Sequence, residues 1–96
     1  MATFISLVSF TDQGIRNIKK SPARAEQFKE LAGNLGVKIK DIYWTVGNYD
    51  VVAVMEGSDD AVTSALLTLG VLGNVRTQTL RAFSGYEIGQ VMEKMP

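Results

Sequence analysis

The stretch from Val37 to Met55, VKIKDIYWTVGNYDVVAVM, decides the architecture. It holds two runs rich in β-branched and aromatic residues, Val37–Val46 and Val51–Met55, on either side of the turn pair Gly47-Asn48. Strands joined this tightly pair antiparallel, as a hairpin. Within the first run the apolar set changes parity, from Val37 and Ile39 to Ile42, Trp44 and Val46. Side chains alternate between faces along a strand. One extra residue near Lys40-Asp41, a β-bulge, would therefore return the whole set to a single buried face.

Working upstream, Ser21-Pro22 reads as a helix start, with a Ser cap and then Pro where a missing N–H costs nothing. Ala25, Phe28, Leu31, Ala32 and Leu35 follow at helical spacing, and Gly36 is the expected left-handed exit. Ile15 and Ile18 in the connecting segment Asp12–Lys20 predict a short extra turn of helix. Thr3–Phe10 reads as a strand ending at Thr11-Asp12-Gln13-Gly14. Downstream, Ser58-Asp59-Asp60 opens a second helix with acids at the positive end of its dipole. Val62, Ala65, Leu66 and Leu69 form its inner stripe, and Gly70 or Gly73 ends it. Val75–Phe83 is the fourth strand. Ser84-Gly85-Tyr86-Glu87 fits a capping box for a short C-terminal helix carrying Ile88, Val91 and Met92.

The element order is β-α-β-β-α-β plus a terminal helix, the ferredoxin-like α+β arrangement of an antiparallel four-stranded sheet with both main helices on one face. The other face is bare. Strands one to three are nevertheless apolar on both parities: Phe4, Val8 and Phe10 against Ile5 and Leu7, and Val51, Ala53 and Met55 against Val52 and Val54. Such a face is expected to be covered by a second copy, so a homodimer or higher homo-oligomer is anticipated.

Composition narrows the function more by exclusion than by indication. Ninety-six residues suffice for one domain, taken as 1–96. With no cysteine and no histidine, disulfides, thiolate chemistry, zinc sites and imidazole acid–base catalysis fall away, and neither a cofactor nor a metal is expected. No run is long enough to span a membrane, and MATFISLVSF lacks the features of a signal peptide, so a cytoplasmic protein is the default expectation. Residues 1–40 carry seven Lys/Arg and three Asp/Glu, whereas residues 41–96 carry three and seven. The whole is neutral, which disfavours a dedicated nucleic-acid surface. RNA-recognition domains share this strand order, but their third strand bears stacking aromatics, and here it is Asp50-Val51-Val52-Ala53-Val54-Met55.

The segment Thr45-Val46-Gly47-Asn48-Tyr49-Asp50-Val51-Val52 resembles the GYD family, named for a Gly-x-Tyr-Asp motif met here by Gly47, Tyr49 and Asp50. The resemblance continues through Phe10-Thr11-Asp12-Gln13-Gly14, Gly73-Asn74-Val75-Arg76-Thr77 and Arg81-Ala82-Phe83. It implies a fold of the dimeric α/β-barrel type and brings no established activity. The hairpin is also similar to the Gly-x-Tyr-Asp turn in the ligand-binding module of leucine-responsive regulators.

Two roles for this turn stay open. In one, Gly47 takes a positive φ, Asp50 caps a loop amide and Tyr49 packs on the sheet edge. In the other, Asp50 with Tyr49, or with Arg76 or Arg81, clamps a small polar or anionic ligand at one end of the sheet. Regular alternation puts Arg76 and Arg81 on opposite faces, so at most one reaches a given cleft. Asp50 and Glu56 share a face but lie about 20 Å apart by strand rise, too far for a carboxylate pair. Glu56, Asp59 and Asp60 lack the spacing of a calcium loop. Gly70-x-x-Gly73 follows a helix instead of preceding one, unlike a phosphate loop. Trp44 is expected in the core or at a dimer contact. The function expected is thus a non-catalytic oligomeric module that binds a small ligand or mediates assembly. The alternative is a small cofactor-independent enzyme, monooxygenase- or isomerase-like as in related dimeric α/β barrels, working with Tyr49, Asp50, Glu56, Tyr86 or an arginine.

Overall fold

The computed structural model describes residues 1–96. Its strands are β1 (Ala2–Phe10), β2 (Lys38–Trp44), β3 (Val51–Gly57) and β4 (Val75–Ala82). Its helices are α1 (Asp12–Arg16), α2 (Ser21–Asn34), α3 (Asp59–Val71) and α4 (Gly85–Met92), with a 3-10 turn at Ile18–Lys20. The strands form one antiparallel sheet in the order β2-β3-β1-β4, with β1 paired to both β3 and β4. This is the ferredoxin-like order, with the hairpin strand β2 at one edge and β4 at the other.

Register sorts the side chains into two faces. Phe4 lies opposite Met55, Ser6 opposite Ala53 and Val8 opposite Val51, and this row faces the helices. Ile39 and Ile42 join it from β2 because the pairing shifts between Ile39 and Asp41, leaving Lys40 as the extra residue of the expected bulge. Helices α2 and α3 close over this row with Phe28, Ala32, Val62 and Ala65, burying Met55, Ala53 and Val37. A smaller cluster of Val8, Val51 and Val75 continues the core toward the other end of the sheet.

Most boundaries follow the expected caps. The Ser58 hydroxyl accepts from the Ala61 N–H at 3.1 Å and begins α3. Ser84 and Glu87 form the reciprocal capping box that begins α4. Gly36 and Gly73 leave their helices at φ 87° and 85°. Two expectations need correction. Ser21 is not a cap: the 3-10 turn runs straight into α2, Lys20 already has helical dihedrals, and the Ser21 hydroxyl accepts from the Trp44 indole N–H at 3.0 Å. The second strand ends at Trp44, so Val46 lies in the loop, fully exposed, and is no part of the buried face.

Gly14 marks where α1 is pinned to the far side of the chain. Thr11 N–H donates to the Asn74 carbonyl at 3.0 Å, and the Thr11 hydroxyl to the Gly73 carbonyl at 2.6 Å. The contact is so close that a Cβ on Gly14 would stand 1.9 Å from the Asn74 oxygen, which only glycine tolerates. This tie holds the α3–β4 turn against the end of β1.

The opposite face of the sheet carries Ile5, Leu7, Val52 and Val54 at its centre, each only half-buried, with Tyr43 and Leu80 exposed beside them. No element of the chain lies across it. α4 has no buried residue, and its apolar side chains Val91 and Met92 face solvent. No helix is long and apolar enough to cross a membrane.

Candidate functional site

At the hairpin end of the sheet the chain must turn from β2 into β3, and Gly47 does so at φ 153°, a value side chains rarely adopt. The loop is then drawn closed from inside. Thr45 N–H donates to the Asp50 carbonyl at 2.8 Å, and the Thr45 hydroxyl to the Tyr49 carbonyl at 2.6 Å. The N–H of Phe10, last residue of β1, lies beyond the β1–β3 register, which ends at Val8 and Val51, and needs another acceptor. The Asp50 carboxylate supplies one, with Oδ2 accepting from Phe10 N–H at 2.8 Å, while Asp50 N–H donates to the Val8 carbonyl at 2.8 Å. Asp50 therefore stitches the start of β3 to the end of β1 with both backbone and side chain.

Tyr49 uses its two ends differently. Its hydroxyl donates to Gln78 Oε1 on β4 at 2.9 Å, so the side chain reaches across β1 on the bare face. Arg76 pairs with Ser9 in register and projects on that same face, exposed. Tyr49 and Arg76 thus share the bare face toward the hairpin end, while the Asp50 carboxylate is turned to the Phe10 N–H.

Arg81 does not join them. It lies opposite Phe4 near the other end of β1, about 17 Å away by strand rise, and on the other parity from Arg76. Its guanidinium stacks over Phe83 at 4.3 Å from the ring centroid and donates to the carbonyls of Thr3, at 3.2 Å, and Ala82. An Asp50–Arg81 clamp within one chain is excluded by this separation. The ion pairs present are Lys29–Glu26 at 3.1 Å and Lys40–Glu56 at 3.9 Å, and neither includes Asp50. Glu56, Asp59 and Asp60 do not converge, and no group of three potential metal ligands exists.

A second concave region lies on the helix side. Between α2, α3 and the sheet runs a cavity of about 290 Å³, walled mainly by apolar residues including Phe28, Leu31, Trp44, Leu66 and Leu69. None of Gly47, Tyr49, Asp50, Arg76 or Arg81 lines it, although their neighbours Phe10, Trp44 and Val51 do. Trp44 is thus a cavity wall and not the core residue expected, since it belongs to neither core cluster and is 43% exposed. Arg24 is the lining residue that sequence reasoning passed over. The signal was legible, since Arg24 stands three residues after Ser21 and four before Phe28, which places it on the inward stripe of α2.

Comparison with known proteins agrees with this architecture. A family model described as GYD domain matches residues 4–92. A protein of Thermus thermophilus named "Glutamine synthetase and cystathionine beta-lyase binding protein" is 40% identical over 84 residues, which span 85% of this chain and 88% of that protein. A Thermus thermophilus protein of known crystal structure, TTHA0845, is similar with a TM-score of 0.52 and 27% identity, covering 90% of this chain and 98% of that one. The match from Phe4 to Met92, with Gly47, Tyr49 and Asp50 in the turn described above, makes the chain a member of the GYD domain family.

Proposed function

We propose that this protein is a non-catalytic binding and assembly module that works as a homo-oligomer and takes other proteins as partners. The observation that carries the reading is the bare sheet face. Ile5, Leu7, Val52 and Val54 form a continuous apolar centre with Tyr43 and Leu80 beside it, and the chain has nothing to lay over it. A second copy of the same sheet offers the matching surface, since a two-fold contact sets the same apolar patch of both copies face to face. Helix α4, with Val91 and Met92 unburied, is an arm that such a pairing would cover.

With the sheets occupied, the outward surface is the helical layer. There Leu67 and Val71, four residues apart on α3, are 66% and 86% exposed, a small apolar patch for a protein partner. The Thermus relative named as a glutamine synthetase and cystathionine beta-lyase binding protein favours partners of that kind. In the oligomer, Tyr49, Asp50 and Arg76 border the seam between sheets, where a small polar or anionic ligand could also be held. The groups that an enzyme would need are dispersed: Tyr49 and Asp50 are hydrogen-bonded at one end of the sheet, Glu56 pairs with Lys40, and Tyr86 is 77% exposed on α4. That dispersal favours binding over catalysis.

The test is co-elution of the purified protein with glutamine synthetase and with cystathionine β-lyase, beside a Leu67→Glu, Val71→Glu double variant. Co-elution that the variant abolishes supports the reading. No association with either enzyme contradicts the partner assignment.

A further inference from the structure

The cavity under α2 has an unusual wall. Fourteen of its 19 lining residues are hydrophobic, no Asp or Glu is among them, and Arg24 is its one charged side chain. One guanidinium nitrogen of Arg24, Nη1, donates to the Asn17 carbonyl at 3.1 Å. The other, Nη2, is shielded from water and has no acceptor. A guanidinium is a donor only, so nothing it can do internally relieves that deficit. Natural proteins leave few buried polar atoms unpartnered, and a cation in an apolar chamber calls for an anion. Beside it on the same helix face, Ser21 accepts from Trp44 and keeps its own hydroxyl proton free to donate.

We propose that this cavity binds a small monocarboxylate with an apolar body, its carboxylate held by the Arg24 guanidinium, whose Nη2 turns out from the side chains that now shield it, with help from the Ser21 hydroxyl, and its body lying among Phe28, Trp44 and Leu69. The charge of the wall selects the head, and the apolar lining selects the tail. At about 30 Å³ for each non-hydrogen atom, 290 Å³ admits about ten of them, which suits a medium-chain fatty acid or a compact aromatic acid. The site lies on the helix side of the sheet and does not depend on what covers the opposite face.

Trp44 is the only tryptophan and lines the cavity, so its fluorescence reports occupancy directly. Octanoate, which is of the required size, is titrated against the whole protein, with octanol as the uncharged equivalent. The expected result is a saturable change with octanoate and binding about tenfold or more weaker with octanol. Arg24→Met, which keeps the length of the side chain, erases that preference. Ala25→Leu, which fills the cavity and leaves Arg24 in place, abolishes both responses and serves as the second variant should Arg24→Met fold poorly. Equal affinity for octanoate and octanol in the unaltered protein overturns the proposal, as does the absence of a saturable response or an undiminished preference in Arg24→Met.

Discussion

Replacing Asp50 separates a latch from a ligand clamp. Its carboxylate is the sole side-chain acceptor for Phe10 N–H, at 2.8 Å, at a point where the Tyr49 carbonyl is turned toward Thr45. A hydrogen bond to a charged group contributes about 1.5–3 kcal/mol, and the lower end applies here because Asp50 is only half-buried and water can replace it. Asp50→Ala should therefore cost about 1.5 kcal/mol. Asp50→Asn keeps an acceptor without the charge and should cost about half as much. In a domain of this size about 1 kcal/mol moves Tm by about 4–8 °C, which gives a drop of about 6–12 °C for the alanine variant. Thermal and urea unfolding should be compared at one fixed protomer concentration, since the proposed self-association would shift Tm by mass action. An Asp50→Ala protein that melts with the parent would refute the latch. If binding of a small polar, hydrogen-bond-donating ligand fell while stability held, the carboxylate would belong to a clamp instead.

Three further outcomes follow from the geometry. Val54→Lys and Leu7→Lys each place a charge at the centre of the bare face, twice in the proposed two-fold contact, and should leave the protein monomeric with little loss of secondary structure by circular dichroism. Gly14→Ala forces a Cβ to within 1.9 Å of the Asn74 carbonyl and should cost about 1–3 kcal/mol in urea unfolding, as Thr11 and Asn74 are pushed apart. The Glu87 carboxyl is held below its ordinary 4.5, first by the backbone N–H of Ser84, then by the Ser84 side chain, with Arg81 adding a smaller pull. Because the folded value is depressed, the stabilisation of α4 is present above pH 4.5 and is lost as pH falls through the lower folded value. The Ser84 amide resonance should titrate with a midpoint below 4.5, and Glu87→Gln should remove that transition.

The sheet was legible because burial leaves a period of two in the residues. The parity change between Ile39 and Ile42 was enough to locate the bulge, since only an inserted residue keeps Trp44 with Met55 on one face. Helix ends marked by Ser58, Ser84 and Gly36 were equally readable, because those caps act within four residues of chain. What escaped depends on contacts distant in sequence. Ser21 resembles a cap locally, but the preceding 3-10 turn makes its hydroxyl available to Trp44, 23 positions away. Arg81 was a plausible partner for Asp50 until the register of β1 with β4 set it beside Phe4, at the far end of the sheet. The spacing of Arg24 from Ser21 and Phe28 marks its place on the inward stripe, but an arginine on a helix ordinarily carries its head to water, and the burial of one of its nitrogens without an acceptor comes only from the packing of α2 over the sheet.

The bare face of the sheet is the feature on which the assembly reading stands, and solution mass tests it most directly. Size-exclusion chromatography with light scattering on the unaltered protein, at micromolar protomer concentration, should report at least twice the 10.5 kDa of one chain. A soluble, stable species of 10.5 kDa under the same conditions would show that Ile5, Leu7, Val52 and Val54 remain in water, and would contradict the account.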